Sequence, residues 1–219
     1  MKLIIFDLDG TILDTLQDLT NAVNYGLSAF NLPNKDLDFV RLAIGNGTKV
    51  LIKRCTPVKI SEEQRVLVFN TFKDYYFKHF TDNTKPYPEI ASMLSRLKEK
   101  GLKLAVVSNK DDDLTKQLIE KEFPRVFDII QGSYFDKPRK PDPYLINKIL
   151  NDNNINKEDC LYIGDTNVDK ESADNAGLKY LLVNYGYRNK EELEKMCPND
   201  TSISTVEELY SSILKWVNL

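Results

Sequence analysis

Lys2-Leu3-Ile4-Ile5-Phe6-Asp7-Leu8-Asp9-Gly10-Thr11 is the stretch whose reading decides the fold. A short apolar run stopped by two carboxylates and a glycine reads as a buried strand that ends in a loop. A buried strand tolerates two aspartates only at its carboxyl end, where the crevice of an open α/β sheet takes up ligands. Asp7 and Asp9 are two residues apart, so on extended chain they point the same way. Two like charges held together repel and resist desolvation. A divalent cation relieves that strain and leaves Asp7 usable as a nucleophile.

Downstream of Thr11 the period changes to that of a helix. Leu16, Leu19, Val23, Leu27 and Phe30 share one face, with Asp14 or Thr15 placed to cap it. A second helical stretch carries Phe39, Val40 and Ile44, meets Gly45-Asn46-Gly47, and continues through Val50 and Leu51. Ser61-Glu62-Glu63-Gln64 predicts a capping box opening a third helix, with Val66, Phe69, Phe72, Tyr76 and Phe80 as its core face. Residues 15–81 therefore read as all-helical, and the following TDNTKPYP as a linker.

Beyond it strands and helices alternate. Helix 89–100 ends at Gly101; strand Lys103–Val107 stops at Ser108-Asn109-Lys110; Asp111-Asp112-Asp113 opens a helix. Phe127–Ile130 reads as a short strand and Lys140-Pro141-Asp142-Pro143 as a helix start. Strand Cys160–Ile163 runs into Gly164-Asp165, a helix reaches Gly177, strand Tyr180–Val183 follows, and amphipathic segments cover 189–196 and 205–217. This alternation predicts an α/β fold: a doubly wound parallel sheet with an inserted all-helical cap domain. The expected division is 1–14 with 82–219 for the core and 15–81 for the cap.

A parallel sheet places all its strand carboxyl ends on one edge, so Asp7/Asp9, Ser108/Asn109 and Asp165 are expected to converge. Gly164-Asp165-Thr166-Asn167-Val168-Asp169 adds two carboxylates four apart. With Asp7 and Asp9 they form an oxygen-rich set suited to Mg²⁺ rather than zinc or copper. Ser108 offers a hydroxyl and backbone N–H groups to a phosphate oxygen. Asp111 to Asp113 read as helix-dipole partners, not ligands. Lys140 supplies the cation that a transferring phosphoryl group needs; Lys137-Pro138 competes with it, but only Lys140 leads directly into Pro-x-Pro.

These pieces resemble the four signatures of the haloacid-dehalogenase-like (HAD) hydrolases: Asp-x-Asp-Gly-Thr at Asp7–Thr11, Ser108-Asn109, Lys140 in Lys-Pro-x-Pro, and Gly-Asp-x-x-x-Asp at Gly164–Asp169. The resemblance implies a Rossmann-like core and a Mg²⁺-dependent phosphatase. It gives Asp7 the role of nucleophile, through an aspartyl-phosphate, and Asp9 that of acid and then base. The implied ligands are the Asp7 carboxylate, the Asp9 carbonyl and Asp165, with Asp169 direct or through water. Thr11, Ser108, Asn109 and Lys140 are the implied phosphate-binding residues. An acid at position 9 separates the chain from the dehalogenases, whose halide leaving group needs no proton.

Ile44-Gly45-Asn46-Gly47, Leu13-Asp14-Thr15…Asp18 and Tyr185-Gly186-Tyr187-Arg188 resemble phosphoglycolate phosphatases. That resemblance implies a small phosphorylated metabolite as substrate, with Asn46, Lys49 and Arg188 as specificity residues. Alternatives are a β-phosphoglucomutase-like phosphomutase, which carries a histidine where this chain has Leu19, and a pyrophosphatase or nucleotidase with the same cap.

Composition narrows the partners. Among 219 residues, 30 basic and 33 acidic ones give a net charge of −3 without a basic block, so nucleic acid is not expected as a ligand. No apolar stretch has membrane-spanning length, and the N-terminal run reads as a strand rather than a signal peptide. Cys55, Cys160 and Cys197 are widely spaced and form no Cys-x-x-Cys pair, which fits a reducing cytoplasm. The one histidine, His79, lies among aromatics and is expected at the surface or in packing. Oligomeric state has no signature in the sequence.

Overall fold

The computed structural model describes residues 2–218 and divides into two compact units, Met1–Leu13 with Pro86–Leu219 and Asp14–Lys85. The chain passes between them at two-residue strands, β2 (Leu13–Asp14) and β3 (Lys85–Pro86), which pair with each other. The segment read as a plain linker thus contains a strand, too short to show a period.

The larger unit is built on six parallel-paired strands: β1 (Leu3–Phe6), β4 (Lys103–Asp111), β5 (Ile129–Ser133), β6 (Cys160–Gly164), β7 (Lys179–Val183) and β8 (Ser202–Ile203). Their order is β5-β4-β1-β6-β7-β8. The central strand β1 lies between β4 and β6, with Phe6 in register with both Val106 and Ile163. The residues that follow each of these three strands therefore share one edge of the sheet. Strand β8 was not foreseen, and β5 starts two residues later than expected; both are short, and both gain their definition from a neighbouring strand.

Alternate strand residues face opposite sides. Leu3, Ile5, Ala105, Val107 and Tyr162 pack with Leu145, Ile146 and Ile149 of α7 (Tyr144–Asp152) and with Ala173 and Ala176 of α8 (Asn167–Ala176). Ile4, Phe6, Leu104 and Val106 face the other side and are also fully buried. Burial on both faces is what makes these strands near-continuous apolar runs. Each fully buried aliphatic side chain contributes about 1.5–3 kcal/mol. Further helices of this unit are α5 (Ile90–Glu99), α6 (Asp112–Glu122), α9 (Lys190–Met196) and α10 (Val206–Val217).

The second unit is helical between β2 and β3: α1 (Leu16–Ser28), α2 (Leu37–Ala43), α3 (Thr48–Cys55) and α4 (Glu62–His79). Ser61 accepts the Gln64 N–H and caps α4 as its sequence predicts. The buried face of α4 carries Val68, Phe72 and Tyr76, whereas Val66 is 49% exposed. The expected phase was two residues off at the start of this helix, because apolar residues lie on more than one of its faces. Asp18 on α1 is buried, and its carboxylate accepts the backbone N–H groups of Asn83 and Thr84, the Asn83 amide and the Thr84 hydroxyl at 2.8–3.0 Å. One buried acid thus ties the first helix of the unit to its last residues. His79 stacks on Tyr75 at 4.2 Å and meets Asp82 at 2.9 Å, a packing role.

Candidate active site

Asp7 follows β1 and donates its backbone N–H to Ile163 of β6, which sets it beside the end of that strand. One carboxylate oxygen each from Asp7, Asp165 and Asp169 lies within 4.8 Å of the others, and all three residues are buried. The approach depends on glycines. A Cβ on Gly164 would stand 2.2 Å from the Asp169 Cβ, and one on Gly10 would stand 2.3 Å from Asp165 Oδ2. Gly10 also has φ +86°, a left-handed conformation that other residues resist.

Lys140 reaches into this cluster. Its Nζ is 2.7 Å from Asp7 Oδ1, 2.8 Å from Asp169 Oδ1 and 3.0 Å from the Tyr162 hydroxyl, with 2% of the side chain exposed. Lys137 is half-exposed and pairs with Asp136, so the geometry distinguishes the two candidate lysines. Burial alone would lower the Lys140 ammonium, but Asp169 and Asp7 outweigh it and hold it well above the usual lysine range. Burial pushes the Asp7 carboxyl up to about 7 against the attraction of Lys140, with Asp169 adding repulsion. Asp165 is raised for the same reason, burial first and then Asp169 and Asp7, partly offset by the Tyr187 N–H and the Arg188 charge. Asp7 and Asp169 share the Lys140 cation, and the Arg188 charge acts on Asp165. An oxygen-only donor set with surplus negative charge fits Mg²⁺.

Several predicted residues have partners within the protein that the sequence did not indicate. Thr11 is fully buried and donates its hydroxyl to Asp165 Oδ1 at 3.2 Å, so it steadies that carboxylate. Asn109 donates to the Lys140 carbonyl at 3.0 Å and accepts the Lys140 N–H at 2.8 Å. Both ends of its amide pin the lysine's backbone. Ser108 is buried and accepts the Lys110 N–H at 3.2 Å. It does not open a helix: β4 runs on to Asp111 through an irregular register after Val107, and α6 begins only at Asp112.

Asp169 accepts from Lys140 and Tyr162 on Oδ1, and from the Thr166 N–H and hydroxyl on Oδ2. Two donors engage each of its oxygens. Asp9 turns its carboxylate to Lys110, whose Nζ lies 2.9 and 3.0 Å from its two oxygens, so the Asp9 side chain is outside the triad.

Of the specificity candidates, Asn46 accepts from Arg54 at 2.8 Å, while Arg54 also donates to the Ala43 carbonyl, which braces the turn between α2 and α3. Lys49 is exposed on α3. Arg188 belongs to the larger unit, is buried, and donates to the Tyr187 carbonyl. Its charge acts on Asp165, so it serves the carboxylate site. The sequence reading missed Lys110, Tyr162 and the backbone of Tyr187, which donates to Asp165 at 2.8 Å. Lys110 follows Ser108-Asn109 directly, and that adjacency was its one available signal.

The haloacid dehalogenase-like hydrolase family model matches residues 4–183. A phosphoglycolate phosphatase of Aquifex aeolicus is 36% identical over 188 residues, covering 85% of this chain and 86% of that protein. Phosphoglycolate phosphatase 1 of Pseudomonas aeruginosa is 32% identical over 203 residues, covering 90% and 74%. The crystal structure of a candidate phosphoglycolate phosphatase from Lactobacillus delbrueckii subsp. bulgaricus superposes with a TM-score of 0.90 at 31% identity, covering 97% of this chain and 99% of that one. With its carboxylates, lysine and glycines in the geometry described, the chain belongs to the haloacid dehalogenase-like hydrolases.

Proposed function

We propose that this hydrolase is a Mg²⁺-dependent phosphatase of small phosphate monoesters, phosphoglycolate foremost, acting through an aspartyl-phosphate on Asp7. The observation that carries the reading is the buried Asp7–Lys140–Asp169 chain beside Asp165. A carboxylate at the end of the central strand, held by a cation within 3 Å, is oriented for attack and not only paired for stability.

Asp7 and Asp165 would hold Mg²⁺, with the Asp9 carbonyl as a further ligand and Asp169, whose oxygens are engaged, acting through water. The ion, when bound, supplies positive charge that offsets the charge of the phosphoryl oxygens. The other steps belong to the chain. An Asp7 oxygen bonds to phosphorus as the bond to the ester oxygen breaks, the electron pair leaving on that oxygen. Asp9 gives that oxygen a proton. In the second half Asp9 takes a proton from water, the water oxygen bonds to phosphorus, and the Asp7–phosphorus bond breaks to restore the carboxylate. Lys140 balances the charge, and Ser108 offers its hydroxyl to a phosphoryl oxygen. A cytoplasmic place fits the three reduced, buried cysteines.

The similarity to relatives named phosphoglycolate phosphatase supports the choice of ester. Leu19 is buried at 3% exposure, so the position that carries a histidine in the phosphomutases is here core packing. The test is phosphate release from phosphoglycolate, β-glucose-1-phosphate, pyrophosphate and nucleoside monophosphates, with Mg²⁺ and with EDTA. Mg²⁺-dependent preference for phosphoglycolate is expected. Another preferred ester overturns the substrate, and no release from any ester overturns the activity. Asn46→Ala and Lys49→Ala are then tested for shifted preference among the esters.

A further inference from the structure

We infer that Lys110 is a positioning residue for Asp9. It holds this carboxylate apart from the metal-binding triad, where it can serve as the proton carrier. The inference rests on the phosphatase reading above and adds to it a residue that the four signatures do not contain.

Asp7 and Asp9 both follow β1, close to two further acids, and nothing in their spacing assigns them separate tasks. The structure separates them with two lysines. Lys140 draws Asp7 toward Asp169, and Lys110 draws Asp9 away, with contacts of 2.9 and 3.0 Å to both of its oxygens. Only 3% of the Lys110 side chain is exposed, against 16% for Asp9. The lysine is therefore set into the protein, while the acid retains a path to an incoming ester. A buried ammonium is costly without a counter-charge, so the pair has one strongly favoured arrangement.

The backbone explains how Lys110 arrives there. Strands β1 and β4 are adjacent and parallel, with Phe6 beside Val106. Beyond Val107 the pairing of β4 with its other neighbour, β5, shifts register and resumes at Asp111 opposite Ser133. The irregular segment is fastened on both sides: Ser133 donates its hydroxyl to the carbonyls of Asn109 and Lys110, and Asn109 bonds the Lys140 backbone. One bulged tripeptide, Ser108-Asn109-Lys110, thus sets both lysines, Lys140 through the Asn109 amide and Lys110 through its own backbone. Bulges recur where a strand has to re-aim a side chain.

A residue that acts through the proton carrier has a distinctive kinetic signature. An alkyl phosphate has a poor leaving group and needs the proton from Asp9, whereas p-nitrophenyl phosphate releases a stable phenolate without it. The test compares wild type, Lys110→Met, Lys110→Arg, Asp9→Asn and the Asp9→Asn/Lys110→Met double variant, each with phosphoglycolate and with p-nitrophenyl phosphate. Lys110→Met is expected to lower kcat for the alkyl ester about 100-fold, the usual scale of acid–base assistance. For the aryl ester it is expected to lower the burst of nitrophenolate less than about threefold, with partial recovery in Lys110→Arg. In the Asp9→Asn background the lysine substitution should change kcat less than about twofold, since a residue acting through Asp9 has no further route. The double variant also lacks the unpaired buried charge, so it reports even where one single variant folds poorly. Equal losses on both esters, or additive losses in the double variant, overturn the inference while leaving the phosphatase reading intact. A folded wild type inactive on both esters overturns the phosphatase reading itself.

Discussion

Replacing Asp7 with asparagine should abolish turnover and, without metal, stabilise the protein at neutral and alkaline pH. Burial pushes the Asp7 carboxyl from 3.8 to about 7, with Asp169 adding to the rise and Lys140 opposing it. The unfolded chain therefore gives up this proton near pH 4 and the folded chain only near pH 7. Between those values the unfolded state is progressively favoured, so the stability that Asp7 allows is complete below pH 4 and lost as pH rises through 7. A gap of about three pH units corresponds to on the order of 4 kcal/mol at pH 8. Asparagine mimics the neutral acid and avoids that loss, while Lys140 keeps Asp169 at 2.8 Å and Tyr162 at 3.0 Å. At about 2–4 °C per kcal/mol for a chain of this size, Asp7→Asn should melt about 10 °C above wild type at pH 8 in EDTA. The two should melt together near pH 4. Mg²⁺ should raise the wild-type melting temperature at pH 8 and close most of the gap. The assay is thermal unfolding followed by circular dichroism at pH 4, 6 and 8, with EDTA or Mg²⁺. A variant less stable than wild type at pH 8 without metal, or a gain that does not vary with pH, would refute the charge-crowding argument.

Two further substitutions separate duties that the sequence leaves merged. Asn109→Ala frees the Lys140 backbone, and a displaced lysine should lower kcat about 10- to 100-fold; a tenfold weaker inhibition by inorganic phosphate with kcat retained would show that Asn109 acts on phosphate and not through the lysine. Asp18→Ala strands the buried N–H and hydroxyl of Thr84 and should cost about 3 kcal/mol in urea unfolding, read on the unit that holds both residues. A loss below about 1 kcal/mol would show that water replaces the carboxylate there.

Much of the fold was legible because it is written locally. Apolar runs of four or five residues ending in Asp7, Ser108 and Asp165, each followed by a helical period, are enough to imply a parallel sheet with its polar ends on one edge. The helical insertion was legible from the 3.6-residue period of α1 and the serine cap of α4. Nucleophile, lysine and acidic pair could likewise be named from residue type and strand position. Local pattern failed where apolar residues covered several faces, as on α4, and where strands had only two residues, as in β2, β3 and β8.

What the sequence by itself determined is the order of the elements and the identity of the charged groups delivered to the sheet edge. Tertiary structure alone decided which group each one faces. Thr11 and Arg188 serve Asp165, Asn109 serves the Lys140 backbone, and Lys110 takes Asp9 while Lys140 takes Asp7. Each of these pairs joins residues about 20 to 155 positions apart. Their meeting depends on strand register and on one irregularity after Val107. A period of two or 3.6 residues describes the surroundings of one element, whereas register is a relation between two, fixed only when their buried faces pack together.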